Sequence, residues 1–347
     1  PALFSGSLGY IRNKCIFPHK NVPSSLHRLK LPILLNKHGI FIVFPTHIDL
    51  KTEIETMPKN ANEIPRASET MLVQNKNVPI LLLSDSPSYG TVALRMASAV
   101  LEKLHYDVFS LPTALVSNTL NYGKAEILDT TEYLFHSLSI WKELGFSFPS
   151  LFIGFVLGER QAERIYQFAK EEKENGSYLF FDPIMADHGK LYNGLQKKDV
   201  ESRKKLMQIA DCIFPNKTEA CLLADLKTVP NNFNLDEAKE LICSLTQKGA
   251  KSICITSMKI EEKSCIFLYE ENTKEFHILP YTERKLTLGG TGDLFSALFI
   301  GKYLEEKNFL SAGDWALQIM NCILDAFQER NHGEKTIPIE EYLHLLD

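Results

Sequence analysis

No stretch of the 347-residue chain approaches the roughly 18 consecutive apolar residues that a membrane-spanning helix requires. The nearest, Gly39 to Phe44, is short and stops at Pro45, so membrane association is not expected. Cysteine is sparse, odd in number at seven, and never spaced as a C-x-x-C pair. That excludes a disulfide framework and disfavours a thiolate zinc site, and it fits reduced thiols in a cytoplasmic setting. No Walker A loop is present, because no glycine run ends in Gly-Lys-Ser/Thr.

Acidic residues are also missing where they would be expected. None precedes Asp49, and residues 1–70 hold nine Lys/Arg against five Asp/Glu together with seven of the 16 prolines. Residues 71–347 carry 29 basic and 38 acidic side chains, an excess of negative charge that disfavours nucleic acid as a partner. Residues 1–70 therefore stand apart as an N-terminal extension. Three readings remain open for it: a targeting leader, sequence upstream of a start at Met71, or a small added irregular segment.

From Val78 onward the pattern is regular. The apolar run Val78 to Leu83 has strand length and ends in the polar cluster Ser84-Asp85-Ser86-Pro87-Ser88-Tyr89-Gly90. Thr91 to Leu104 then places Val92, Met96, Ala99, Val100 and Leu104 at helical spacing. Further strands are expected at 108–111, 151–155, 178–181, 212–214 and 252–256, and two strand-like runs at 265–269 and 275–279. Helices are expected at 130–144, 159–172, 200–210 and 235–248, and from Thr291, Ala312 and Ile339. Such alternation predicts an α/β protein with a mainly parallel sheet, helices on both faces and an antiparallel edge.

In such sheets ligands bind beyond the carboxyl ends of the strands, so the loops after strands are where chemistry is sought. Gly289-Gly290-Thr291-Gly292-Asp293 opens a helix. Glycines there let several backbone N–H groups converge, and the helix dipole favours an anion at that point. Asp293 on the first turn would stand beside a transferring group, placed to accept a proton from an attacking hydroxyl. The structural alternative is a tight turn with an acidic helix cap. Asp182-Pro183-Ile184-Met185 follows an aromatic strand, and Asp182 with Asp187 offers hard oxygen ligands for Mg²⁺; a solvated turn is the alternative. Asn216 and Glu219, three apart at a helix start, can hold a hydrated Mg²⁺ or form a capping box, and taken alone the box is favoured.

Together and in this order, Asp182-Pro183-Ile184-Met185, Asn216-x-x-Glu219 and Gly290-Thr291-Gly292-Asp293 resemble the D-P-V-M, N-x-x-E and G-T-G-D signatures of the ribokinase-like superfamily. Within it, Leu111 to Gly123, with Ser117-Asn118-Thr119-Leu120-Asn121-Tyr122-Gly123, resembles the S-N-H-T-x-Y-G segment of pyridoxal kinases, and Gly292 to Leu298 resembles their G-D-L-F-x-A-L helix. The resemblance spans about Val78 to Phe327. It implies a ribokinase-like three-layer α/β/α sandwich over 71–347. The implied activity is ATP-dependent phosphorylation of the 5′-hydroxymethyl group of pyridoxal, pyridoxine or pyridoxamine.

By the same resemblance, Asp293 is the base, Gly290, Thr291 and Gly292 form the anion hole, and Asp182, Asn216, Glu219 and Thr256 attend the nucleotide. Asp182, Asp187 and Glu219 surround Mg²⁺, while Ser84, Asp85, Ser86, Leu120, Asn121 and Tyr122 hold the B6 vitamer. ATP as co-substrate, a monovalent cation such as K⁺, and a homodimer are implied as well. The chain departs from the pattern at Thr119, where a histidine is usual, and at Ala186, where a glycine is usual. Hydroxymethylpyrimidine kinases share the phosphate machinery but often carry cysteine at the base position, so Asp293 favours pyridoxal. A ribokinase-fold binder without activity is the remaining alternative, and it would have no need of Asp293.

Overall fold

The computed structural model describes residues 33–36, 39–42, 78–119, 122–284, 286–330 and 333–347. The chain divides into two units, Pro1–Leu72 and Val73–Asp347. In the first, β1 (Ile33–Asn36) and β2 (Gly39–Ile42) pair as an antiparallel hairpin with Ile33 opposite Ile42, an element the sequence did not announce.

The second unit is built on one nine-stranded sheet. Its parallel centre comprises β3 (Pro79–Pro87), β4 (Asp107–Val116), β6 (Ser150–Ile153), β7 (Tyr178–Phe181), β10 (Cys212–Ile213) and β11 (Ser252–Ile260). At one edge β12 (Lys263–Glu270) and β13 (Glu275–Pro280) continue antiparallel, as the paired runs predict. At the other edge the three-residue β5 (Ile127–Asp129) adds an antiparallel strand too short to leave a sequence signal. The order is β13-β12-β11-β10-β7-β6-β3-β4-β5, so the sheet begins at the interior strand β3 and is wound outward from it in both directions.

Strand alternation divides the core into two layers. Leu81 and Leu83 of β3, Leu151 and Ile153 of β6, and Leu179 and Phe181 of β7 face one side. There they pack against α2 (Thr131–Glu143), α3 (Gly158–Glu174), α4 (Lys197–Ile209), α5 (Lys217–Leu223) and α6 (Leu235–Gln247). Ile80, Leu82, Phe152 and Phe180 face the other side, against α1 (Ala93–Lys103), α7 (Thr291–Glu306) and α8 (Phe309–Arg330). Ile80 to Leu83 are completely buried, and each contributes about 1.5–3 kcal/mol relative to an exposed side chain. A strand apolar on both faces is what a sheet covered on both sides demands.

Two expected helices are revised. α8 begins at Phe309 rather than Ala312, because Asn308 caps it by accepting the Ser311 N–H at 2.9 Å. The run from Ile339 forms two short 3₁₀ turns, Ile339–Glu341 and Leu343–Leu346, that follow Pro338. A two-residue hairpin, β8 (Ala186–Asp187) with β9 (Lys190–Leu191), was also unanticipated, and it bears directly on the site.

Candidate active site

Four loops at the carboxyl ends of β3, β7, β10 and β11, with the N-terminus of α7, bring the acidic residues together. The glycine turn comes first. Gly290 adopts φ 89°, and a Cβ there would lie 2.8 Å from the Thr91 carbonyl oxygen, so only glycine fits against the start of α1. The turn delivers the first-turn N–H groups of α7, which a helix cannot pair internally, to one mouth. Asp293 sits on that turn, half-buried. Its Oδ2 accepts a hydrogen bond from the N–H of Ala93 at 2.9 Å. Ala93 itself has φ 47°, a strained value for a residue with a side chain. The strain aims an α1 amide at Asp293, a partnership the sequence did not reveal because helical periodicity says nothing about the first residue's backbone.

Enough water is excluded around Asp293 to raise its carboxyl above the ordinary range, with the Ala93 N–H opposing the rise. Asp85, at the end of β3, is pushed up to about 7, first by burial and then by the charge of Asp293. The two acids therefore share one region. Ser84 is fully buried, donates to Asp85 Oδ1 at 3.4 Å and accepts the Phe155 N–H at 3.0 Å, fixing the strand end.

Across the mouth, Asp182 directly follows β7 and is 6% exposed. Burial raises its carboxyl well above the usual range, and the charges of Glu219 and Asp293 add to the rise. Its recorded hydrogen bond is long, from the Ile184 N–H at 3.4 Å, so its oxygens keep acceptor capacity. Glu219 is different. Its Oε2 accepts the Asn216 N–H at 2.9 Å, and its Oε1 accepts the Met185 N–H at 2.8 Å and the Ala186 N–H at 3.3 Å. Asn216 Oδ1 accepts the Glu219 N–H at 3.0 Å, completing a capping box at α5, and Asn216 Nδ2 donates to the Ala186 carbonyl at 2.7 Å. The capping box is therefore real, and it does more than cap, because the same two side chains rivet the Asp182–Ala186 loop to the helix start. Burial pushes Glu219 up to about 7 against those three amide donors.

Asp187 lies on β8, exposed, and accepts the His188 N–H at 2.7 Å. Among the described residues no three carboxylate, histidine or cysteine side chains converge to hold a metal ion. Of the three carboxylates expected around Mg²⁺, Asp182 is buried, Glu219 is engaged with backbone amides, and Asp187 is exposed on β8. Thr256 lies at a bulge in β11, bridged to Asn216, and its N–H donates to the Pro215 carbonyl at 2.9 Å. Ser86 is half-buried on β3, and Tyr122 is exposed and lies 5.8 Å from Tyr89, centroid to centroid. Leu120 and Asn121 lie outside the described residues.

Two neighbours were missed by sequence reasoning, and a third, Thr119, was singled out only as a departure from the pattern. Tyr192, which follows β9, has its hydroxyl raised by burial and then by the charges of Glu219, Asp187, Asp182 and Asp293. It thus lies near all four acids. Arg203 of α4, 1% exposed, donates to the Val156 carbonyl at 2.6 Å, and burial lowers its pKa against the opposing charges of Asp199 and Glu219. Thr119 is 5% exposed, and its hydroxyl has no hydrogen-bond partner among the described residues. A generic tyrosine and a helical arginine at i+4 from an aspartate carry no motif that could have flagged them, and the motif position that singled out Thr119 does not reveal its burial.

Buried carboxylates facing an anion-receptive helix start are the arrangement expected for phosphoryl transfer. The phosphomethylpyrimidine kinase family model matches residues 138–339, and the chain belongs to this family, within the ribokinase-like superfamily. Among its relatives is the pyridoxal kinase of Dictyostelium discoideum, 24% identical over 276 residues that cover 75% of this chain and 88% of that protein. A Bacteroides thetaiotaomicron structure with pyridoxal, provisionally named phosphomethylpyrimidine kinase, is 27% identical with TM-score 0.72, covering 78% of this chain and 96% of that one. The Leishmania donovani pyridoxal kinase solved with ADP and pyridoxamine, 20% identical with TM-score 0.68, covers 77% of this chain and 95% of its own and shares the fold. The three-layer ribokinase-like architecture is thereby established.

Proposed function

We propose that the protein is an ATP-dependent pyridoxal kinase that transfers the γ-phosphoryl group to the 5′-hydroxymethyl group of pyridoxal and of related B6 vitamers. The observation that carries this reading is Asp293, half-buried on the first turn of α7 with a raised pKa, beside the φ-positive Gly290 and within the field of Asp85. Relatives named pyridoxal kinase, and neighbours solved with pyridoxal and with ADP, support it.

In this reading Asp293 accepts the hydroxymethyl proton as the oxygen attacks phosphorus, and the raised pKa brings the carboxylate nearer the value an effective base needs. The N–H groups of Thr291 and Gly292, with Gly290 shaping the turn, receive the phosphoryl oxygens. Transfer of this kind needs positioning and charge neutralisation more than covalent help. Mg²⁺ would supply that neutralisation when bound with ATP. Asp182 has the acceptor capacity to hold it, and Glu219 and Asn216 set the loop that presents Asp182. Asp187 would reach the ion through water, and Thr256 would face the nucleotide. Ser84, Asp85, Ser86, Leu120, Asn121 and Tyr122 would surround the vitamer ring.

A monovalent cation and a homodimer are carried over from the resemblance, and a cytoplasmic setting rests on the free state of the described cysteines. Residues 71–347 are proposed to be the kinase domain, with 1–70 an extension. A coupled ATP-consumption assay over pyridoxal, pyridoxine, pyridoxamine and hydroxymethylpyrimidine tests the function. Preferential turnover of pyridoxal is expected. Turnover of hydroxymethylpyrimidine alone would assign the chain to the pyrimidine branch of its family, and no turnover of any would leave a binding protein.

A further inference from the structure

In the sheet β6 lies between β3 and β7, so the loop that leaves β6 stands between Asp85 at one strand end and Asp182 at the other. Its backbone is tied to both neighbours. The Gly154 N–H donates to the Leu83 carbonyl at 2.8 Å, and the Ile153 carbonyl accepts the Asp182 N–H at 2.8 Å. A Cβ at Gly154 would lie 2.5 Å from Ser84 Oγ and 3.4 Å from Ile184 Cδ1, so this residue packs against both sides at once.

Loops are ordinarily the most mobile parts of such a fold. Here four buried side chains from four elements take the polar groups of residues 155–157. Ser84 of β3 accepts the Phe155 N–H at 3.0 Å, and the same hydroxyl reaches Asp85. Thr113 of β4 donates to the Phe155 carbonyl at 2.7 Å, and Arg203 of α4 takes the Val156 carbonyl. Gln161 of α3, 1% exposed, closes the frame. Its Oε1 accepts the Leu157 N–H at 2.7 Å, while its Nε2 donates to the Thr113 carbonyl at 2.7 Å and to the Thr131 hydroxyl at 2.9 Å. The amide has one orientation only, because Leu157 offers a donor and the Thr113 carbonyl an acceptor. A buried network with its groups paired holds its members in a single arrangement.

We propose that Gln161 is a positioning residue that acts through the β6 loop, setting the spacing between the acceptor side at Asp85 and the phosphate side at Asp182. It thereby aligns the attacking hydroxyl with the γ-phosphoryl group. This rests on the kinase reading above and deepens it. Each side binds its own substrate with its own residues, and the loop between them decides only how the two substrates meet. Loosening the frame should therefore cost transfer rate rather than the binding of either substrate, since small misplacements of reacting groups are expensive.

The test compares the wild-type full chain with Gln161→Met, which keeps the side chain's length and removes its amide, and with Thr113→Val, which frees the Phe155 carbonyl at another point of the frame. Phosphorylated pyridoxal and consumed ATP are measured separately, and nucleotide-binding stoichiometry counts the folded sites. In Gln161→Met, kcat for transfer should fall about tenfold or more, with both KM values within about twofold of wild type. Thr113→Val should show the same pattern more weakly. Hydrolysis of ATP by water without acceptor should be unchanged in both, so the yield of phosphorylated pyridoxal per ATP consumed should drop. Wild-type kcat in Gln161→Met overturns the proposal. So does an equal fall in transfer and hydrolysis, which marks a general structural loss, or a higher KM for pyridoxal with kcat retained. If Gln161→Met does not fold, Thr113→Val decides, and wild-type kinetics in it overturns the proposal. Wild-type protein that leaves pyridoxal untouched would instead overturn the kinase reading itself, an outcome separate from any of these.

Discussion

The two sides of the active-site mouth are built to different standards of completeness. On the side formed by the ends of β7 and β10, Glu219 collects three backbone N–H donors, Asn216 closes the capping box, and Thr218 accepts the Gly189 N–H at 3.0 Å. On the side formed by β3 and β4, the Thr119 hydroxyl is buried without a partner among the described residues, Tyr89 and Tyr122 are 63% and 44% exposed, and Asp85 is crowded by Asp293. A satisfied network is rigid and ready, whereas an orphaned donor beside exposed aromatic rings is a surface still to be covered. The contrast assigns preorganisation to the phosphate side and completion on binding to the acceptor side.

Asp293 stands at the junction, so its removal should have the largest effect. Asp293→Asn should lower kcat by roughly 10²-fold or more, the usual size of a general-base contribution, while ATP still binds. Steady-state kinetics with equilibrium nucleotide binding reads both quantities. Near-normal kcat would remove the base and leave Asp293 as an N-terminal cap alone.

Next comes the rivet of the phosphate side. Glu219→Ala strands the amides of Met185, Ala186 and Asn216, at about 1–3 kcal/mol for a buried donor left unpaired. Chemical denaturation should show a loss of at least that size, and kcat should fall because Asp182 is no longer held. Glu219→Gln should recover part of the stability, since its carbonyl oxygen can still accept. A variant as stable as wild type would mean that this side is no more preorganised than the other.

This asymmetry also sets what the sequence could tell. The strands were legible because Ile80 to Leu83 are buried on both faces and the helices between them carry one apolar stripe. The phosphate side was legible because its chemistry depends on short local spacings, with Asn216 and Glu219 three apart on one turn and Gly290 three before Asp293. The acceptor side depends on contacts between distant segments. Ala93 meets Asp293 across 200 residues, and Thr336 meets Thr91 across 245, separations that leave no periodicity to read. Tyr192 and Arg203 were invisible for the same reason. Spacing likewise does not reveal that backbone amides occupy Glu219, one of the three carboxylates expected around Mg²⁺.

Charge crowding gives the third test. Asp85 has its pKa raised from 3.8 to about 7 in the folded chain, so between those values the folded state binds more protons than the unfolded one. Stability should therefore rise as pH falls from about 7 toward 4, opposite to an aspartate held by a salt bridge. Thermal unfolding of the unliganded protein should give a higher midpoint at pH 5.5 than at pH 7.5. Asp85→Asn should raise the pH 7.5 midpoint and flatten the difference. A midpoint that falls on acidification, with Asp85→Asn unchanged in slope, would show that the acceptor side carries no such electrostatic load.

The smallest effect is expected at Thr119. Thr119→Val keeps the shape of the side chain and deletes a buried hydroxyl that has no partner among the described residues. Burying such a group unpaired costs about 1–3 kcal/mol, so the unliganded variant should be equal to or modestly more stable than wild type in denaturant. Gly90 packs closely on this residue, with a notional Cβ only 2.5 Å from Thr119 Cγ2, so an isosteric change is the one the site tolerates. If the hydroxyl serves the acceptor, the stability gain will be accompanied by a higher KM for pyridoxal with kcat little altered. A gain without any change in KM would mark Thr119 as unused polarity, and the incomplete side would then be completed by the loop residues around Tyr122 alone.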